Sequence, residues 1–156
     1  MENLTGAPFR WRDQLLETTA EIVRVLGRVR RVAVIGIKPE VVGGPAFSVP
    51  ERMQQVGYEI VPIPVYYPDI TDILGVPIHR SLSTVSPAVD MVVLFRRPND
   101  VPLHLDDILA HRPSVVWMQL GIRHDGVAQQ LAEAGIAVIQ DRCVKVELER
   151  MRGPRL

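Results

Sequence analysis

The chain has 156 residues, of which 47% are hydrophobic and 23% charged, a balance that favours one domain with a sizeable core. Its 18 basic and 18 acidic residues give a formal net charge of zero, which argues against nucleic acid or an anionic membrane as a partner. With one cysteine, no apolar secretory segment in MENLTGAPFRWRDQ and no apolar run of membrane length, the sequence predicts a cytoplasmic protein without internal disulfides.

The first part of the chain predicts two helices and two strands. Residues 10–27 space apolar side chains one or two helical turns apart, which predicts an amphipathic helix that stops at Gly27. RRVAVIGI (30–37) is apolar without alternation, as expected of a strand buried on both faces of a parallel sheet. Residues 46–57 predict a helix, and YEIVPIPV (58–65) predicts a strand whose prolines place its end near a sheet edge.

The second part continues this alternation. Strands are predicted at VDMVVLF (89–95), VVWMQL (115–120) and IAVIQD (136–141). The helices are predicted at 99–111, with Asn99 or Asp100 as N-cap, at 124–134 and at 144–152. Strands alternating with helices are typical of βαβ units. We therefore predict an α/β fold, a Rossmann-like, doubly wound parallel five-stranded sheet of order 3-2-1-4-5 with helices on both faces, as one domain over 1–156 with its core at 31–152.

The loop after the first strand is the first candidate site. GIKPEVVGGPAFS (36–48) combines glycines and Lys38 with a helix N-terminus, which suits a phosphate group. It does not contain G-x-G-x-x-G, and Tyr66 and Tyr67 follow strand two where a dinucleotide enzyme prefers a ribose-binding acid. NAD is therefore disfavoured. A phosphate-bearing ligand and glycines that only shape a turn both stay open.

The third strand ends in FRRPNDV (95–101), at the edge where open α/β sheets bind ligands. The planar guanidinium groups of Arg96 and Arg97 match phosphate oxygens. The alternative is a surface ion pair with an acid such as Asp100. Together with the first loop, these arginines favour a phosphate-bearing ligand.

The fourth strand runs into VVWMQLGIRHDG (115–126). Gln119 can meet an amide or hydroxyl group of a ligand, or it can bond the backbone of a neighbouring loop. Gly121 allows a close backbone approach. His124 is predicted to cap the following helix or to face solvent.

The fifth strand ends in QDRCVKVE (140–147), where Cys143 begins a helix. Such a thiol can be activated, but a packed small side chain is the alternative. The histidines show no paired spacing of the kind that binds a metal, and neither a serine nucleophile motif nor paired catalytic carboxylates occur.

Taken in order, these stretches resemble the small CoA-binding proteins, which are stand-alone Rossmann-type domains similar to the N-terminal domain of the succinyl-CoA synthetase α subunit. The resemblance runs from about residue 11 to the end of the chain. It implies coenzyme A, or an acyl-CoA, as ligand. It implies no catalytic residue, because the synthetase transfers phosphoryl groups with a histidine of its other domain. The markers are VAVIG (32–36), GY (57–58), VDMVVLFRRP (89–98), WMQLGI (117–122), AG (134–135) and DRCVKVE (141–147).

Carried over residue by residue, the resemblance implies ligand contacts in the loops after the first four strands. The chain departs from the family pattern at Ile37-Lys38, where a small residue and a serine are usual. It departs again at Ile63-Pro64-Val65, where Val-Asn-Pro would offer an asparagine to the ligand. The implied contacts are Gly36, Ile37, Lys38, Pro45, Phe47, Ser48, Pro64, Phe95, Arg96, Arg97, Pro98, Gln119 and Gly121.

Three functions are open to such a sequence. We predict a non-catalytic module that binds CoA or an acyl-CoA as a carrier, a sensor or the partner of an acyl-CoA enzyme. The first alternative is a nucleotide-dependent enzyme, an oxidoreductase or an acyl-CoA transferase that uses Cys143 or His124. The second is an interaction domain whose nucleotide site has decayed. The sequence does not indicate the oligomeric state.

Overall fold

The computed structural model describes residues 8–152, and its centre is a parallel sheet of five strands. The predicted domain span of 1–156 includes residues 1–7 and 153–156, which lie outside the described residues, and it stays a prediction. All five predicted strands are present. They are β1 (Arg31–Ile35), β2 (Glu59–Ile63), β3 (Met91–Leu94), β4 (Val115–Met118) and β5 (Ala137–Ile139).

The strand order is 2-1-3-4-5, so the predicted order 3-2-1-4-5 is wrong. Strand β2 lies at one edge of the sheet, and β3 pairs with the other side of β1. The carbonyl of Pro62 points outward, where it accepts the His79 N–H at 2.9 Å. Because the N–H and C=O of one strand residue face the same side, the donor that Pro62 lacks would also be on this outer edge. A strand paired there would miss a hydrogen bond, so β3 pairs elsewhere.

Helices cover both faces of the sheet, as predicted. They are α1 (Thr19–Arg28), α2 (Pro45–Gln55), α3 (Leu105–His111), α4 (Asp125–Glu133) and α5 (Val144–Arg152). Alternate strand residues, such as Val34 and Ile35, belong to two separate hydrophobic clusters. The first cluster packs against α1, α2 and α5, and the second against α3 and α4. Burial on both faces is why the strands read as continuous apolar runs.

The predicted helix at 10–27 is interrupted. Residues Trp11–Gln14 form a 3₁₀ turn, and α1 begins at Thr19 after a capping box between Thr18 and Glu21. Between them the chain is extended: Leu15 bridges in parallel to Val138 of β5, and the Leu16 N–H donates to the Val138 carbonyl at 2.9 Å. Pairing with the free edge of β5 therefore outweighs helical periodicity at these residues. The glycine predicted as a stop lies inside α1.

The predicted helix at 99–111 is also divided. Pro98–His104 form a 3₁₀ helix, and α3 follows from Leu105. Pro102 has no N–H for an α-helical bond and crowds the preceding turn, so the α-helix starts only after it. Neither Asn99 nor Asp100 is the N-cap, since both lie within the 3₁₀ turn.

Two small elements lie between β2 and β3, in a segment for which no element was predicted. Asp72–Ile73 and Val76–Pro77 form a short antiparallel hairpin, and Leu82–Thr84 a 3₁₀ turn. Within residues 8–152, no helix has the length and apolar character needed to cross a membrane.

Candidate functional site

The loops after β1 and β3 touch at the middle of the sheet. Gly36 has a φ of +88°, and a Cβ placed on it would lie 2.1 Å from the Phe95 carbonyl oxygen. The Phe95 N–H donates to the Ile35 carbonyl at 2.8 Å. From here β1 leads to β2 on one side, while β3 leads to β4 on the other. This is the switch point of the sheet, where open α/β folds form their ligand crevice.

Three cationic side chains belong to these two loops. Lys38 is exposed, and Arg97 is 87% exposed with its Nε 3.1 Å from an oxygen of Asp100. Arg96 is more buried; its Nε donates to His104 Nε2 at 3.1 Å, and its Nη2 lies 3.9 Å from the same carboxylate. The pairing with Asp100 considered from the sequence is therefore present. One carboxylate serves two guanidinium groups, so positive charge remains in excess.

His104 holds Arg96 in place as a neutral imidazole. Burial lowers the pKa of His104, the nearby Arg96 charge lowers it further, and Asp107 and Asp100 act in the opposite direction. Because a neutral Nε2 can accept the Arg96 Nε–H, this contact needs the unprotonated ring. The arginine is thus oriented by a partner that does not neutralise its charge.

The remaining residues of the first loop mostly build its floor. Ile37 is 1% exposed and packs in the same core cluster as Phe47, with Phe95 against them. Ser48 is half-buried and Pro45 exposed at the start of α2, whose N-cap residue Gly44 has no side chain with which to cap the first turn. Pro64 is buried after β2 and Pro98 exposed after β3. At position 37, where the family usually has a small residue, the isoleucine of this chain therefore contributes a side chain to the core.

Gln119 has a structural task. Its side chain is buried, and its Oε1 accepts the N–H of Val144, the first residue of α5, at 2.9 Å. This is the backbone-bonding role considered from the sequence. Gly121 is exposed with a φ of +83°, and its N–H donates to Asp141 Oδ1 at 2.7 Å. The loops after β4 and β5 are thereby fastened to each other.

The predicted cap by His124 is confirmed, because its Nδ1 accepts the Val127 N–H at 3.0 Å. The His124 N–H in turn donates to Gln140 Oε1 at 2.8 Å. Both contacts order the start of α4. Among residues 8–152, no group of three or more His, Cys, Asp or Glu side chains is arranged to hold a metal ion.

A cavity of about 480 Å³ lies beyond β4, between residues 15–17 and α5. Half-buried Cys143 is one of its lining residues. Buried Glu147 also lines it, 3.0 Å from Arg150 Nη1 and 3.5 Å from Arg142 Nη1. Sequence reasoning missed this cavity. The three-residue spacing of Glu147 and Arg150 was a readable signal for their pairing, but the return of residues 15–17 to β5 was not.

Comparisons with known proteins place the chain. A family model described as a CoA binding domain matches residues 30–149. An uncharacterized protein of Bacillus subtilis, YneT, is 36% identical over 129 residues, which cover 81% of this chain and 91% of that protein. A solved structure from Thermus thermophilus, cell-free ID.343, is 34% identical with a TM-score of 0.79, covering 86% of this chain and 99% of that one.

A hypothetical protein of Pyrococcus horikoshii OT3 shares the fold, with a TM-score of 0.80 and 24% identity over 88% of this chain and 94% of that one. The family match begins one residue before β1 and ends within α5, so it takes in every strand of the sheet and every loop at its carboxyl edge. The resemblance inferred from the sequence motifs is therefore confirmed, and the chain belongs to the CoA-binding domain family.

Proposed function

We propose that the chain binds coenzyme A or an acyl-CoA in the crevice at the carboxyl ends of its strands and performs no chemistry on it. The observation that carries this proposal is the family match, because it spans all the loops that form the crevice. In this arrangement the phosphates of the ligand lie at the switch point, between the loops after β1 and β3.

The charge distribution supports that placement. CoA carries a diphosphate and a 3′-phosphate. The exposed Lys38 and Arg97 flank the switch point in the loops that follow two adjacent strands, β1 and β3. Arg96 adds a third cation, held by a neutral histidine. Guanidinium groups bind phosphate oxygens through pairs of hydrogen bonds, and the N-terminus of α2 adds backbone donors and a favourable dipole.

Exposed apolar side chains also favour the carboxyl edge of the sheet as the binding surface. Large hydrophobic residues with substantial exposure follow four of the five strands, on the side of the sheet where the crevice lies. Such a concentration is typical of a binding surface, and it suits the adenine ring and the pantetheine arm. These residues are Val41 and Val42 after β1, Val65 and Tyr66 after β2, Leu103 after β3 and Leu120 after β4.

A binding module is also favoured by what the polar residues already do. The His124 Nδ1 already accepts a hydrogen bond that caps α4, and the Gln119 Oε1 already accepts one from the first N–H of α5. An enzyme that used His124 as a base would first have to break this cap. We therefore propose a carrier, a sensor or the partner of an acyl-CoA enzyme, rather than an oxidoreductase or a transferase.

The two lysines of the chain allow a direct test of the site. Lys38 lies in the proposed phosphate site and Lys145 on the exposed part of α5, and both are exposed. An amine-reactive label, followed by mass spectrometry, reads both at once in the same sample. A thioether analogue of CoA is expected to protect Lys38 and to leave Lys145 labelled, while NAD and ATP at equal concentration protect neither.

Calorimetry on matched variants completes the test. Lys38→Ala is expected to weaken CoA binding by roughly 10- to 100-fold, the effect of losing a charge-assisted hydrogen bond. Lys145→Ala removes the same charge away from the crevice and is expected to leave the affinity unchanged. Absence of CoA binding to the parent protein, or equal losses in both variants, would contradict the proposal.

A further inference from the structure

The cavity beside α5 adjoins one end of the proposed CoA crevice. It opens at the carboxyl end of β5 and shares Leu120, in the loop after β4, with the crevice rim. Its volume of about 480 Å³ is within the usual range of small-molecule sites. The edge that receives the ligand therefore continues past β4 into a partly open cavity.

Part of the cavity lining is apolar and held by the sheet. Leu15 and Leu16 are paired with β5 at Val138, and all three residues line the cavity. At the mouth, Leu120 is 68% and Val146 45% exposed. When a ligand removes apolar surface of this kind from water, the free energy of binding becomes more favourable.

The charged side chains that line the cavity balance one another. They are three arginines and three carboxylates: Arg123, Arg142 and Arg150, with Glu17, Asp141 and Glu147. Arg142 and Arg150 both contact the buried carboxylate of Glu147, so a phosphate here would have to compete with that carboxylate. At the switch point, by contrast, Lys38 and the two neighbouring arginines outnumber their carboxylate. Charge thus directs the anionic end of a ligand to the switch point and an uncharged end to the cavity.

The two places are the right distance apart. From β1 to β5 the ligand crosses three gaps between strands, which is about 14 Å at roughly 4.8 Å per gap. The pantetheine arm has about twelve atoms in its main chain, the equivalent of roughly four extended residues at about 3.5 Å each, or about 14 Å. With its phosphates at the switch point, a CoA molecule can bring its sulfur to the mouth of the cavity.

We infer that this cavity receives the acyl group of an aliphatic acyl-CoA, so that the protein prefers the acylated ligand to free CoA. The inference rests on the proposed CoA site and fixes the direction of the ligand along it, from β1 toward β5. Each methylene buried in the cavity contributes roughly a factor of four in affinity.

Two neighbouring exposed residues of α5 provide the test. Val146→Trp fills the mouth of the cavity, whereas Lys145→Trp adds the same side chain to the same helix at a residue that does not line the cavity. Affinities for adenosine 3′,5′-bisphosphate, CoA and hexanoyl-CoA are measured by calorimetry. The parent and Lys145→Trp are expected to bind hexanoyl-CoA about tenfold or more tighter than CoA, given the burial of a few methylenes. Val146→Trp is expected to lose that preference and to keep its affinity for the bisphosphate.

Hydrogen exchange on the parent protein gives a readout that needs no substitution. Hexanoyl-CoA, compared with CoA, is expected to slow exchange in residues 15–17 and in the first turns of α5. The inference is overturned if CoA binds but hexanoyl-CoA has no advantage, or if Lys145→Trp removes the advantage and Val146→Trp keeps it. If neither CoA nor the bisphosphate binds the parent protein, the proposed CoA site itself fails.

Discussion

Gly36 joins β1 to the first loop at a point where no side chain fits. A Cβ there would lie 2.1 Å from the Phe95 carbonyl oxygen and 2.9 Å from its carbon, and the backbone has a φ of +88°. Both the contact with β3 and the left-handed backbone therefore demand glycine. This one residue sets how closely the two halves of the crevice approach.

Gly36→Ala is expected to lower the free energy of unfolding by roughly 2–4 kcal/mol, since backbone strain and a steric clash act together. Urea denaturation measures the change. Gly27→Ala is the matched control: Gly27 lies inside α1, and a Cβ there meets nothing within 4 Å. That variant is expected to gain up to about 1 kcal/mol from helix propensity. Equal effects of the two substitutions would refute the argument.

At the level of whole elements, the position of helix α5 depends on a side chain that follows strand β4. Gln119, after β4, bonds the first N–H of α5, and the Trp117 Nε1–H donates to the Arg142 carbonyl at 2.7 Å just before that helix. The helix that walls the cavity is thus positioned by the end of β4. A change at Gln119 should therefore be felt in α5.

Gln119→Leu is expected to destabilise the protein by about 1–3 kcal/mol, because it leaves the Val144 N–H buried without an acceptor. Faster hydrogen exchange at the start of α5 would show that the effect is local. The exposed Gln129 on α4, whose Nε2 bonds Glu133, supplies the control Gln129→Leu, with an expected change below about 0.5 kcal/mol. Unchanged stability of Gln119→Leu would mean that the cap is dispensable.

The strands were predictable from the sequence because each is buried on both faces, and α5 and α4 were predictable from their boundaries. The breaks in the predicted helices at 10–27 and 99–111 were not. Leu15 fits a helical period as well as it fits an edge strand, and only the free side of β5 decides between them. Strand order depends in the same way on which side of β2 carries the donor missing at Pro62, which a sequence period does not record.

The candidate site could likewise be predicted only in part from the sequence. Lys38, Arg96 and Arg97 could be placed at the crevice because they directly follow strands, and position at a strand end is a local property. What Gln119 bonds could not be foreseen, since Val144 is distant in sequence. The sequence motifs that revealed the family are short and local, and they lie where strands turn into loops.

On the scale of the whole molecule, two partly buried histidine contacts tie stability to pH. His104 accepts from Arg96, and the Val89 N–H donates to His111 Nε2 at 2.9 Å. Burial is the main cause that lowers the pKa of each, and a nearby arginine adds to it. Both rings are therefore held neutral in the folded protein.

Acidification is expected to destabilise the fold. Below about pH 6.5 the unfolded chain binds more protons at these histidines than the folded one does. Their contribution is complete above that pH and is lost as the pH falls toward the lowered pKa values of the folded state. Urea midpoints should thus be lower at pH 5.5 than at pH 7.5, and the double variant His104→Gln, His111→Gln should show a smaller difference. A midpoint that rises on acidification would exclude this linkage.

The proline at the outer side of β2 also bears on how separate molecules meet. An open sheet margin with unused backbone groups can template strands from a second chain, which is a first step toward domain swapping and fibrils. Here Pro62 offers no donor and its carbonyl is taken by His79, while at the far margin Leu16 occupies the carbonyl of Val138. Neither edge of this sheet therefore presents a complete row of free backbone N–H and C=O groups to a strand of another molecule. Association of separate molecules by strand addition to the five-stranded sheet is therefore disfavoured.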